Sequence, residues 1–338
     1  MRSGSASEGN GARGSRGWRS VAALTRLAIG IAILALLFVL LPRERIWSAI
    51  RSIPLTLWLV VLAGYLAAHC LGAMKYRMMV NLGGAEFSFA QAAQCYFGGL
   101  FGTLFLPSIV GGDVVRVGVG LRMARHRAGF LLGSLMDRVM DVLALVLMIC
   151  GAALLLPGEL DPHRRRVFLL SCAAVTVAAV AAFGVLAALP VRRFSFRTRR
   201  KLARLRQAGR SMRRRPHIVA VALAGGVVVQ SSFVLLTAVL GEACGLHLRV
   251  RVWMLAWPLA KLAALVPLSQ GGLGVREAAL AAILTPFGAP AALTVAVGVV
   301  WQTQIYAGGL ISGLIGLAAR RVSSPRPVRA APLPPPAA

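Results

Sequence analysis

The chain has 338 residues, of which 58% are hydrophobic and 14% are charged, and its formal net charge is +28. A soluble domain carries about a quarter charged residues, so this composition excludes a mainly soluble protein. The positive charge does not indicate nucleic-acid binding, because the arginines lie in short loops between apolar runs, as basic residues do beside membrane spans. We predict an all-α polytopic membrane protein with no nucleic-acid partner.

Apolar runs that suit a membrane recur along the chain, since about 20 apolar residues cross the hydrocarbon core as a helix. The first run follows a basic N-terminus, 1–20, and lacks a small-residue cleavage pattern, so we expect a retained span rather than a signal peptide. The six uninterrupted runs are 27–41, 55–74, 130–156, 167–189, 218–240 and 291–319. Two further runs, 87–110 and 252–268, are apolar but interrupted.

The most basic loop sets the predicted orientation. Residues 191–217 hold twelve Lys and Arg and no acid, which places this loop in the cytoplasm. Its basic helical pattern also fits adsorption to anionic lipids, with orientation alone as the alternative. The N-terminus and the Pro/Ala-rich tail, 323–338, are expected to be cytoplasmic, and the tail disordered. We therefore predict a multi-pass protein of the plasma membrane whose second span returns to the cytoplasm near Lys75 and Arg77.

The two interrupted runs are predicted to be re-entrant. Three full crossings between Arg77 and the basic loop would put that loop outside, so one segment must enter and leave by the same face. Segment 87–110 runs into a Gly-Gly stretch after Pro107, and both residue types interrupt helices. Counting the crossings of the second half in the same way requires segment 252–268 to be re-entrant from the outside. This segment runs into the matching Gly-Gly stretch after Pro267.

These two stretches align without gaps at an offset of 160 residues. Pro107, Gly111, Gly112, Val115 and Arg116 match Pro267, Gly271, Gly272, Val275 and Arg276. Within one transmembrane domain, 21–322, the halves at about 21–157 and 167–319 then share the order span, span, re-entrant segment, span, in opposite orientation. Such inverted repeats with broken segments indicate a transporter with its substrate site near the membrane midplane. A chance match in a glycine-rich chain is the alternative.

Charged residues follow each Gly-Gly pair. Asp113 and Arg116 share a face if a helix begins there, although Asp113 could simply cap that helix. A guanidinium beside free helical amides is suited to hold a phosphate through two parallel hydrogen bonds. Arg276, with Glu277 beside it, repeats the arrangement in the second half. We predict that Arg116 and Arg276 hold an anionic head group, and that Asp113 and Glu277 set the local charge beside it.

Further ionisable residues lie inside apolar segments, where they are costly and usually face a partner or a water-filled cavity. Asp137, Arg138 and Asp141 lie at the mouth of the fourth apolar segment, and Arg138 can pair with either acid. A purely structural salt bridge is the alternative. Lys261 has no acid near it in sequence, so we expect it to point into a cavity, with snorkelling as the alternative.

The sequence shows no nucleophile–base arrangement, no Walker loop and no paired catalytic carboxylates. The five cysteines and five histidines also lack the spacing of metal ligands. We therefore expect no cofactor and no metal, and transport rather than catalysis.

Three stretches resemble the signature of the flippase-like family, which is the family of the transmembrane region of lysylphosphatidylglycerol synthases. They are Gly-Gly-Asp-Val-Val-Arg at 111–116, the Asp137-Arg138 pair, and Pro-Leu-Ser-Gln-Gly-Gly-Leu-Gly-Val-Arg-Glu at 267–277. The similarity covers about residues 20–320. It implies the lipid-translocating part, without the soluble aminoacyl-transfer domain that full synthases carry after it.

The first functional hypothesis, in line with this resemblance, is a flippase of the bacterial inner membrane that moves an anionic or phosphate-bearing lipid (phospho-, glyco- or isoprenoid-linked) between leaflets. Membrane lipids are then the partners, with a separate lipid-modifying enzyme as a further one. The alternatives are a membrane-embedded transferase acting on a lipid-linked substrate and a non-transporting scaffold. The predicted substrate-contacting residues are Asp113, Arg116, Asp137, Arg138, Lys261, Ser269, Gly271, Gly272, Arg276 and Glu277.

Overall fold

The computed structural model describes residues 28–106, 109–156, 214–264 and 269–323, together with residue 25 and isolated positions between 163 and 177. All regular structure in these residues is helical, which confirms the predicted fold class. The helices are α1 (Ala28–Leu40), α2 (Arg43–Arg51), α3 (Leu55–Leu82), α4 (Phe89–Gly102), α5 (Ile109–Met123), α6 (Arg127–Leu155), α7 (Pro216–Ala243), α8 (Val250–Ala263), α9 (Val275–Leu284) and α10 (Ala291–Ser323).

Four of these helices, α3, α6, α7 and α10, are long and apolar enough to cross a membrane. They coincide with four of the six predicted uninterrupted spans, and α1 lies within the first of the six. The remaining predicted features lie outside the described residues: the N-terminus 1–20, the span 167–189, the basic loop up to 213, and the tail from 324.

Helix α3 is longer than the predicted span. It continues to Leu82, and the Asn81 side chain then closes the turn into α4 by bonding both the N–H and the C=O of Phe87. Lys75 therefore lies inside the bundle, with 4% of its surface exposed. The prediction that Lys75 lies at the cytoplasmic end of the span is therefore wrong. A lysine counts against a span in hydropathy, but a buried acid on another helix can compensate it.

Each interrupted segment folds as a helical hairpin, as the fold prediction required. Helix α4 packs against α5, and α8 packs against α9. The two first helices have 14 residues each. At 1.5 Å per residue such a helix is about 21 Å long, which is shorter than the hydrocarbon core of about 30 Å.

The two Gly-Gly pairs do not have the same role, contrary to the prediction that both break a helix. Gly111 and Gly112 lie inside α5, and the turn of that hairpin comes earlier, after α4 ends. A Cβ on Gly112 would come within 2.5 Å of the Gly99 carbonyl oxygen, so this glycine allows close packing. Gly271 and Gly272, by contrast, have φ values of 61° and 79°, which L side chains rarely adopt.

The helix order α3–α6 repeats as α7–α10. Helices α3 and α7 begin 161 residues apart, and so do α4 and α8. The contacts between α3 and α7 run in opposite directions, since Gly64 faces Leu236, His69 stacks on Phe233, and Gly225 faces Lys75. The first helices of the two halves are therefore antiparallel, as the predicted inverted repeat requires.

The halves are interlocked, because each hairpin packs on the last helix of the other half. Helix α4 packs on α10, where Gly309 faces Leu104 and Gly313 faces Phe101. In the symmetric position α8 packs on α6, where Arg251 donates to the Leu155 carbonyl at 3.3 Å. This exchange brings the tips of both hairpins to the middle of the bundle, where α5 contacts the turn at Gln270–Gly272.

The polarity of the bundle is that of a membrane protein. Large apolar side chains such as Leu55, Leu310 and Leu314 are exposed on its outside. Charged side chains such as Asp137 and Glu277 are fully buried in its middle. An apolar exterior suits lipid, and ionisable groups inside a membrane face the bundle interior, where partners compensate them.

Candidate functional site

A cavity of about 260 Å³ lies where the two hairpins meet. Its wall is built from both halves: hairpin residues come from α4, α5, α8 and α9 and from the turns between them, and the spans α3, α6, α7 and α10 supply the rest. Its charged lining residues are Asp113, Arg116, Arg138, Asp141, Lys261 and Arg276. The interlocked hairpins therefore gather residues that are more than 160 positions apart in the chain.

Arg116 is buried on α5 between two aromatic rings. Its Cζ lies 4.4 Å from the ring centroid of Tyr96 and 4.9 Å from that of Tyr76. Its Nη1 donates to Asp137 Oδ2 at 3.3 Å, whereas its Nε is 3.9 Å from Asp113. The principal acid partner of Arg116 is therefore Asp137, on α6, rather than its sequence neighbour.

Lys75 completes the buried part of this network. Its Nζ lies 2.6 Å from Asp137 Oδ1 and 2.8 Å from Asp141 Oδ1. Asp137 is thus shared between Lys75 and Arg116, which compensate its charge from two different helices. Such groups stabilise the fold only as a complete set, because removing one partner leaves an uncompensated buried charge.

The more exposed part of the network faces the cavity. Arg138 pairs with Asp113 at 2.8 Å and with Asp141 at 3.1 Å. Of the two pairings expected for Arg138 within α6, the structure shows Asp141. In the first half, three cations and three carboxylates therefore form one connected set.

Arg276 occupies the equivalent position in the second half. Its Nη2 donates to Glu277 Oε1 at 2.6 Å and to Gln302 Oε1 at 2.8 Å. Glu277 Oε2 in turn accepts from the Gly274 backbone at 2.6 Å, which ties it to the start of α9. The Arg276 Cζ lies 5.8 Å from the Trp257 ring, and Trp257 follows Tyr96 by 161 residues, the same shift as the helices.

Among the described residues, Lys261 makes direct contacts only with neutral groups, and the carboxylate that attracts it, Asp141, lies beyond ion-pair distance. Its Nζ donates to Gln230 Oε1 at 2.8 Å and lies 5.0 Å from the centroid of the Phe233 ring. The expectation that Lys261 points into a cavity agrees with its place in the wall.

Aromatic rings form much of the remaining wall. Tyr65, Phe233 and Trp301 contact each other with ring centroids 5.6 to 6.0 Å apart, and Trp257 stacks edge-on against Trp301 at 4.8 Å. Rings of this kind bury well and present electron-rich faces to cations, as Phe233 does to Lys261.

The predicted site residues divide into three groups. Asp113, Arg116, Arg138, Lys261, Gly271 and Arg276 line the cavity. Asp137 and Glu277 lie behind the wall, where each holds an arginine. Ser269 and Gly272 are buried beside the second hairpin turn, and neither belongs to the lining. In the described part of the chain, no cluster of potential metal ligands forms.

Sequence reasoning missed Lys75 and the neutral polar residues Gln230 and Gln302. Lys75 carried a usable signal, since a lysine followed by further apolar residues is an intramembrane charge that needs an acid. The glutamines carried none, because an amide inside a span does not stand out by hydropathy or by motif.

Comparison with known proteins found one family match. A family model described as the lysylphosphatidylglycerol synthase TM region matches residues 24–313. Neither curated proteins nor solved structures gave a match.

Proposed function

The chain belongs to the lysylphosphatidylglycerol synthase TM region family, and from this membership we propose that it is a flippase for an anionic or phosphate-bearing lipid. Membership of this family indicates a membrane protein connected with lipids, and the long apolar helices agree with it. The proposed activity is the transfer of a lipid head group between leaflets through the central cavity.

One observation carries the proposal: Arg116 and Arg276, which the repeat relates to each other, line the same cavity. Both are 5% exposed, and the Nε of each has no hydrogen-bond acceptor in the described structure. A guanidinium offers five donors in a planar fork that matches a phosphate. Two such groups contributed from opposite halves suit a head group that is reached from opposite faces.

The cavity also reaches the outside of the bundle. Tyr306 on α10 lines the cavity and is itself 45% exposed. A head group in the cavity would then be compatible with acyl chains that stay in the surrounding lipid. We propose that the head group passes between the Arg116 and Arg276 sides while the tails remain outside.

We further propose that the protein lies in the bacterial plasma membrane with both termini in the cytoplasm. Because α3 and α7 are antiparallel, the turns that follow them lie at opposite ends of the bundle. The turn at Glu86 is then cytoplasmic and the turn at His247 is external. Cysteines placed at these two positions, in a background without the native cysteines, should be labelled by an impermeant thiol reagent in intact cells only at 247; labelling at 86 alone would invert the proposed topology.

Lipid transfer is tested with purified protein in vesicles that contain a trace of fluorescent phosphatidylglycerol. Dithionite bleaches only the outer leaflet, so a flippase lets it reach lipid that began inside. We expect full bleaching with the wild type and with Arg125→Gln, an exposed charge change outside the cavity. With the double variant Arg116→Gln, Arg276→Gln, dithionite should bleach only the lipid of the outer leaflet.

The alternatives give different results in the same vesicles. A transferase would modify the labelled lipid only after a head-group donor is added, and would not increase bleaching. A scaffold would do neither. Either result from folded, inserted protein would overturn the flippase assignment.

A further inference from the structure

We propose that Lys261 makes the cavity selective for lipids whose head group carries one net negative charge, such as a phosphodiester without a compensating ammonium group. The proposal rests on the proposed function and specifies its substrate class. It follows from the charges around the cavity and from the partners of each charged group.

The ionised side chains around the cavity include more cations than carboxylates. In the described residues, the wall and the ion pairs directly behind it hold five cations and four carboxylates, with His69 taken as a neutral imidazole. They are Lys75, Arg116, Arg138, Lys261 and Arg276 against Asp113, Asp137, Asp141 and Glu277. Residues 107–108 and 265–268, whose structure is not described, contain no charged side chain. The excess is one positive charge.

Lys261 is the cation of this set that has no carboxylate within ion-pair distance, although Asp141 attracts it from farther away. Every other cation in the set lies within ion-pair distance of at least one carboxylate. The partners of Lys261 are the amide oxygen of Gln230 and the ring face of Phe233. Both attract an ammonium group, yet neither cancels its charge.

The arginines have a different part in binding. Arg116 is matched by Asp137, and Arg276 is matched by Glu277 at 2.6 Å. Their guanidinium groups can orient a phosphate through hydrogen bonds, but the carboxylates behind them already compensate their charge. The net charge that the cavity accepts is therefore set by Lys261.

The consequence is a preference by charge. A head group with one net negative charge neutralises the cavity. A zwitterionic head group leaves Lys261 uncompensated, and a doubly charged one adds an anion without a counter-charge. In a medium of low dielectric constant, an uncompensated charge is strongly unfavourable.

The test measures dithionite bleaching for fluorescent phosphatidylglycerol and phosphatidylcholine in parallel vesicles. The wild type should move phosphatidylglycerol at least about tenfold faster than phosphatidylcholine, a ratio that corresponds to about 1.4 kcal/mol. Lys261→Gln should lose this preference, with phosphatidylcholine at least as fast as phosphatidylglycerol. Lys261→Arg, which keeps the charge, and Arg125→Gln, which removes a charge outside the cavity, should both keep it.

The outcomes separate this inference from the proposed function. No transfer of either lipid by the wild type would refute the flippase itself. Transfer with an unchanged preference in Lys261→Gln would refute the role of Lys261 and leave the flippase standing. Excess inorganic phosphate in the buffer should not slow the wild type; inhibition that disappears in Lys261→Gln would instead assign the site to a soluble phosphate.

Discussion

The two halves of the bundle share a scaffold but treat their charges differently. Each half presents an arginine from its hairpin, held against an aromatic ring of the preceding helix. In the first half, Arg116 belongs to a connected set in which three carboxylates match three cations. In the second half, Arg276 has one acid and one glutamine, and Lys261 has no acid within ion-pair distance among the described residues.

This difference suggests a division of labour between a stabilising half and a discriminating half. Buried ion pairs are costly to break but contribute little selectivity when they are internally balanced. A lone cation is costly until a ligand arrives, which makes it a means of selection. Substitutions of charged residues in the two halves should therefore differ in their consequences for stability and transport.

The largest contrast is expected between Lys75→Gln and Lys261→Gln. The first leaves Asp137 and Asp141 short of a cation, and breaking a buried pair in this way costs roughly 3–5 kcal/mol. The second removes an uncompensated charge, so the stability should stay the same or rise. Thermal unfolding of both variants in detergent measures the contrast. Equal melting temperatures would show that the two halves do not differ as described.

The two arginines provide a second comparison. Arg276→Lys loses the planar guanidinium that lines the cavity and whose Nη2 donates to both Glu277 and Gln302, so lipid binding should weaken by about 1–3 kcal/mol with little loss of stability. Arg116→Lys should weaken binding similarly but also lower the melting temperature, because it gives up contacts with two rings. Vesicle transfer and thermal unfolding separate the effects. Normal transfer by both variants would remove the arginines from the site.

Close packing in the first hairpin is tested by Gly112→Ala. The added methyl group would meet the Gly99 carbonyl and Thr103, and such overpacking costs about 1–3 kcal/mol. Gly118→Ala is the matched control on the same helix, since nothing lies within 4 Å of its Cβ position. The control should gain roughly 0.5–1 kcal/mol of helix stability. A control that destabilises as much as Gly112→Ala would rule out steric contact as the cause.

The smallest effect is expected for Gly271→Ala in the second hairpin. Its Cβ would meet nothing within 4 Å, so only the positive φ of 61° opposes the substitution, at about 1–2 kcal/mol. Gly271→Asn should cost less, because Asn tolerates this conformation better than Ala. If Ala and Asn melt at the same temperature, the left-handed conformation is not what selects glycine here.

Much of the architecture was readable from local sequence. The long apolar runs predicted α3, α6, α7 and α10, and the match at 160 residues predicted two equivalent hairpins. The same match placed Arg116 and Arg276 at corresponding positions, and the structure brings both to one cavity. These predictions succeeded because hydropathy acts within a single segment, whereas the prediction that Gly111 and Gly112 break a helix was wrong, since both lie inside α5.

The pairing of charges was not readable in the same way. The sequence suggested Asp113 as the neighbour of Arg116, but Asp137 on α6 is closer, and Asp113 pairs instead with Arg138. Lys75 looked like the end of a span because its acids lie more than 60 residues away in the chain. Which acid reaches which base depends on which helices touch.

The sequence by itself determined that this is a membrane protein with an internal repeat, and it determined where the hairpin arginines lie. Only the tertiary structure decided how those arginines are balanced, which glycines turn the chain and which only permit contact, and why Lys261 is left without an acid. The physical reason is that the two effects act over different distances along the chain. Transfer into lipid is a sum over neighbouring residues, whereas an ion pair requires two groups within about 4 Å, and the fold alone decides that distance.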